Sequence, residues 1–142
     1  MTTRLRMPAL LLAVVVLAAL LAACGHSDFT ATGPDIPAIA GAAGGEVTAQ
    51  GTAPNRHPGG AEASWYVVSR AGTQEEDLLV GVLPFESREA RDAAFTRMQH
   101  QTNRLTHSVV LTWGESVVRM SRIRDRGLLG DLVRELETSG AR

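Results

Sequence analysis

Hydrophobic and polar positions divide this chain into three stretches of different texture. Residues 9–23, ALLLAVVVLAALLAA, are apolar without a break. Residues 25–63 show no sustained period of 2 or 3.6. Beyond residue 63 a regular pattern begins. SWYVVSR (64–70) is rich in β-branched and aromatic residues, and DLLVGVLP (77–84) is an apolar run stopped by Pro84. AGTQEE between them reads as a hairpin loop. Ser87 offers an N-cap, with Glu89 and Asp92 near the positive end of a helix running from about Arg88 to Asn103. Along it Ala90, Ala94, Met98 and Leu105 fall on one side, and Phe95 widens the stripe. HSVVLTW (107–113) and SVVRMSRI (116–123) form a second predicted hairpin around Gly114-Glu115. Leu128, Leu129, Leu132, Val133 and Leu136 then mark an amphipathic helix that Ser139-Gly140 ends.

The order ββαββα predicts an α+β domain over residues 64–142: a small antiparallel sheet of about four strands with two helices packed on one face. Its eleven Arg balance eleven acidic residues. A domain of this size is marginal on burial alone, and the single cysteine of the chain leaves it no internal disulfide. Either the two helices close over Val, Leu, Phe and Trp, or a partner completes the core.

Residues 25–63 are dominated by Gly, Ala, Pro, Ser and Thr. Such a segment buries too little apolar surface to offset its ordering entropy. The predicted unit 24–63 is therefore Cys24 followed by a flexible tether, spanning on the order of 35 Å as a coil. Two stretches in it carry more character. GEVTAQGT (45–52) could pair as a short edge strand, and DIPAIAG (35–41) could dock on the domain.

At the start of the chain, Arg4 and Arg6 precede the apolar run, and small residues follow it. This is the layout of a secretory signal. No Arg-Arg pair points to the twin-arginine route. The run ends in Leu21-Ala22-Ala23-Cys24, which resembles the lipobox of bacterial lipoprotein precursors (type II signal peptides). The resemblance implies that Leu21, Ala22 and Ala23 are read by a dedicated signal peptidase. It implies that residues 1–23 are removed and that the Cys24 thiol carries a diacylglyceryl group. The mature protein would then sit on the outer side of the cell membrane, held by acyl chains, palmitate among them. Two buried chains make such an anchor stable, at about 0.8 kcal/mol per CH₂. An uncleaved membrane anchor is the competing reading, since Met7 to Gly25 holds no charge.

Charge and motifs narrow the function further. The formal net charge is −1, and no basic block invites nucleic acid. The chain lacks G-x-S-x-G, H-E-x-x-H, P-loop and dinucleotide patterns, so no catalytic residue, metal or cofactor is expected. His26 and His57 read as solvated. His100 and His107 match no ligand spacing, and Glu75-Glu76-Asp77 lacks the alternating oxygens of a calcium loop. Trp65, Tyr66 and Trp113 fit core packing better than sugar stacking. The remaining lead is RMSRIRDR (119–126), where Arg119, Arg122, Arg124 and Arg126 face one acid, Asp125. Arg forks suit phosphates and carboxylates, although charge that protects an edge strand gives the same pattern. Strand alternation would put Arg122 and Arg124 on one face and Arg119 on the other.

The expectation is thus a lipid-anchored extracytoplasmic accessory or protein-binding module of the cell envelope, without catalysis, bound to an envelope protein. A binder of a small ligand or anionic wall polymer, using the sheet face and Arg119–Arg126, is the alternative. An enzyme using His107 with Glu115 or Asp125 is a third.

Overall fold

The structure, a computed structural model, describes residues 33–73, 75–105 and 107–142. The expectations for the signal segment, for Leu21, Ala22 and Ala23 and for Cys24 fall outside these residues. The fold is α+β: one five-stranded antiparallel sheet and three helices. In chain order the elements are α1 (Ile36–Ala42), β1 (Gly45–Ala53), β2 (Ala63–Arg70), β3 (Leu78–Pro84), α2 (Arg88–Leu105), β4 (Val109–Trp113), β5 (Ser116–Ser121) and α3 (Arg126–Ser139). The strands lie in the order β1-β2-β3-β5-β4. Among the described residues no helix is long and apolar enough to cross a membrane.

Both expected hairpins form. Val68 pairs with Leu78 and Ser64 with Val82 across β2–β3, and Trp113 pairs with Ser116 across β4–β5. Gly114 supplies the turn with a φ of +53°, a conformation glycine adopts without penalty. The Ser87 hydroxyl accepts from the Ala90 amide at 3.1 Å and opens α2 as the sequence predicts.

The segment expected to be a tether is instead part of the domain from residue 34 onward. In α1, Asp35 caps the first turn by accepting from the Ala38 amide at 3.1 Å, and Pro37 suits that turn. Ile36 and Ala40 are fully buried. β1 then pairs with β2 along its whole length, from Gly45 opposite Arg70 to Ala53 opposite Ala63, with an irregularity between Val47 and Ala49. Composition hid these elements because small residues do the packing. A Cβ on Gly51 would come within 2.6 Å of the Trp65 ring, so the bare backbone there lets the indole lie against β1.

The second correction concerns the helices. α1 and α3 cover one face, where Ile36, Ala40, Leu128, Leu132 and Leu136 meet Val68, Val80, Val82, Val118 and Met120. α2 covers the other face, with Ala94 and Met98 against Phe85 and Val117. The reason lies in β3 and β5. Their apolar residues occupy both alternations, Leu78, Val80 and Val82 against Leu79 and Leu83, and Val118 and Met120 against Val117. Strands apolar on both sides need cover on both sides.

Candidate functional site

The second face of the sheet is only partly covered. α2 sits over β4 and β5, and the hairpin tip is tied to it by Arg88 on Glu115 (3.2 Å) and by Arg91 on the Gly114 carbonyl. On this face one cross-strand row runs Gly51, Trp65, Gly81, Arg119 and Val110, and Val110 at its end packs against the cluster under α2. Gly81 contributes no side chain, and a Cβ placed on it would meet nothing closer than 3.6 Å. Trp65 and Arg119 flank that gap, their Cα atoms about 10 Å apart by strand spacing.

β5 ends at Ser121, and the next residue, Arg122, takes a left-handed φ of +52°. It is the one described non-glycine residue with positive φ. The chain is then pinned to the start of β3. The Arg124 amide donates to the Asp77 carbonyl at 2.7 Å, and the buried Asp77 carboxylate accepts from the Arg70 amide at 2.8 Å. Asp125 closes the segment. One oxygen accepts from Arg70 Nε at 2.7 Å and the other from the Leu128 amide at 2.9 Å, which caps α3. The Arg70 hydrogen bond first, and the Leu128 amide second, hold the Asp125 carboxyl down at about 2.

This geometry brings Arg119, Arg122 and Arg124 to one groove of about 640 Å³, floored by Val67 and Leu79 and bordered by Glu76. The expected split of the arginines between two faces does not occur, because the turn at Arg122 breaks the alternation. Edge protection does not account for Arg119 either, since β5 lies between β3 and β4. Arg126 is set apart from this groove. It lines an adjoining depression of about 330 Å³ with Ser108 and Leu129, and His107 borders both.

Among the described residues none of these four arginines is within ion-pair distance of an acid, whereas Arg70, Arg88, Arg91 and Arg134 all are. Arg119 Nε is buried and lacks a hydrogen-bond acceptor among the described residues. A histidine and a further cation bear on this region. His57 packs against Phe85 with ring centroids 6.3 Å apart. Its pKa is lowered by burial and then by the charges of Arg97 and Arg119. Sequence reasoning read His57 as solvated, whereas it is half-buried against Phe85, and passed over Arg97, Val67 and Leu79. The glycine inside DLLVGVLP was the one signal that the strand carries a gap.

The other candidates take structural places. Trp113 Nε1 donates to the Ser139 carbonyl (3.2 Å) and hydroxyl (3.1 Å). Tyr66 packs against the closed core. Glu115 accepts from Arg88, and the Asp125 oxygens accept from Arg70 and the Leu128 amide; among the described residues no ion pair joins either carboxylate to His107. His100 and His107 are exposed, and no group of three His, Cys, Asp or Glu gathers among the described residues. Comparison with protein-family models, with curated proteins and with solved structures returns no match.

Proposed function

We propose that this chain is a membrane-anchored extracytoplasmic lipoprotein that serves the cell envelope as a non-catalytic binding module. Leu21-Ala22-Ala23-Cys24 supports the anchor. The observation that carries the binding role is the groove on the second sheet face, where Arg119, Arg122 and Arg124 meet without ion-pair partners among the described residues. Left alone, such a cluster is held together against its own repulsion. An anionic group bound in it removes that cost. This favours an anionic ligand or an acidic patch on an envelope protein over an apolar partner surface.

With folding reaching back to residue 34, only residues 25–33 separate Cys24 from the domain. Nine residues span roughly 30 Å at full extension and less as a coil. Metabolic labelling with a palmitate analogue tests the anchor: wild type is labelled and partitions with membranes, and Cys24→Ala is neither. Equal labelling of the two forms removes the lipoprotein reading.

A further inference from the structure

We propose that the arginine groove is a binding site for a phosphate group attached to a partly apolar body. Arg119, Arg122 and Arg124 hold the phosphate oxygens, and Val67, Leu79 and Ile123 hold the body. The inference rests on the reading of this groove as the binding surface, and it is independent of the lipid anchor.

Three features point to phosphate. First, one carboxylate is satisfied by a single guanidinium fork, whereas a phosphate presents enough oxygens for several. Three forks from one short segment suit the larger anion. Second, the cations are placed at a cost. Arg122 holds a left-handed backbone, which is strained for an L-residue. Arg119 buries an Nε–H with no acceptor among the described residues. The segment is kept there by the Arg124–Asp77 and Asp125–Arg70 bonds, so the arrangement exists before any ligand arrives. Third, the groove is not wholly cationic. Val67, Leu79 and Ile123 offer apolar contact, and Glu76 on the border offers an acceptor for a hydroxyl next to the phosphate. A glyceryl phosphate has this combination, through its C–H surface when free and through its acyl chains when it is the headgroup of an acidic lipid.

The test uses the full chain in nonionic detergent, titrated calorimetrically with inorganic phosphate, glycerol phosphate, phosphatidylglycerol in mixed micelles, and phosphatidylcholine as the neutral lipid control. Glycerol phosphate is expected to bind with a Kd of about 1 mM or below, and more tightly than inorganic phosphate. Phosphatidylglycerol about tenfold tighter than glycerol phosphate assigns the site to a lipid headgroup, and equal affinities assign it to a soluble phosphate. Arg119→Gln/Arg122→Gln/Arg124→Gln is expected to weaken binding at least about tenfold. Should loss of Arg119 disturb folding, Arg122→Gln/Arg124→Gln, both at exposed positions, carries the same expectation at about fivefold. Arg88→Gln/Arg134→Gln leaves binding unchanged. Ligand at the groove also raises the pH at which the His57 ring titrates in NMR, because bound anion offsets Arg119. No saturable binding of any phosphate probe, or equal binding by wild type and the Arg122/Arg124 variant, overturns the inference. Either result leaves palmitate labelling of Cys24 untouched, so the two failures are distinguishable.

Discussion

On one face of the sheet α1 and α3 lie against each other, and Leu128, Leu132, Leu136, Val80 and Val118 beneath them are wholly shut off from water. On the other face α2 covers the β4–β5 side alone, and the row beside it holds Gly81 and Arg119 where apolar packing would be expected. The closed face is built for stability. The half-open face gives up burial at the positions that form the groove, which is where a local break in folding rules points to function.

The largest expected effect tests this division directly. Leu132→Ala removes a fully buried side chain from the closed face and should cost about 3–4 kcal/mol in urea unfolding. Met98→Ala, under α2, should cost about 2 kcal/mol, because a partly covered face relaxes around the loss more easily. A reversed order would break the comparison. Neither variant should change groove affinity in the folded protein.

Ile36→Ala comes next, at about 2–3 kcal/mol. Ile36 is fully buried against the closed core, so the loss should also speed hydrogen exchange at the amides of β1. A cost below about 0.5 kcal/mol, the size of an ordinary surface change, would return residues 34–44 to the tether.

That second prediction marks where the sequence was hardest to read. Large apolar residues at regular spacing made both hairpins and the stripe Leu128, Leu132, Leu136 legible, and Ser87 announced its helix. α1 and β1 hold only Ile36, Ile39 and Val47 among small residues, at no sustained period. Beside Ile36 they pack through Ala40, Gly45 and Gly51, whose small size helps only once Leu128 and Trp65 are placed against the two glycines, and no one-dimensional pattern carries that. The placing of α2 on a face of its own was readable in principle, since DLLVGVLP and SVVRM are apolar at successive rather than alternate positions. The arginines were legible as a cluster. Their convergence was not, because it depends on a single backbone angle at Arg122.

Asp125→Asn acts at the joint between the two faces, where the groove segment becomes α3. Its carboxyl lies at about 2, below the usual 3.8, owing first to Arg70 and then to the Leu128 amide. A depressed carboxyl stabilises the fold above its unfolded value and loses that effect as pH falls through the folded one. The variant should therefore melt roughly 5 °C below wild type at pH 7, and the gap should narrow between about pH 4 and pH 2. A gap independent of pH would show that the charge on Asp125, and with it the Arg70 pair, does not fix the segment. Phosphate affinity should fall a few-fold in parallel, as Arg122 and Arg124 lose their fixed positions.

The smallest effect separates the needs of the fold from those of the groove at one residue. Arg122 occupies a left-handed conformation with its side chain exposed and, among the described residues, without an ion pair. Glycine takes that backbone freely, so Arg122→Gly should raise stability by roughly 0.5 kcal/mol, the relief of strain being partly offset by the greater freedom of the unfolded chain. Valine resists the same backbone, and Arg122→Val should lower stability by about 1 kcal/mol. Both variants remove the same guanidinium. Stability thus moves in opposite directions while phosphate affinity falls about threefold in each. Affinity that followed stability instead would mean that Arg122 serves the groove only through the shape of the chain. Affinity that fell equally in both would assign its role to the charge.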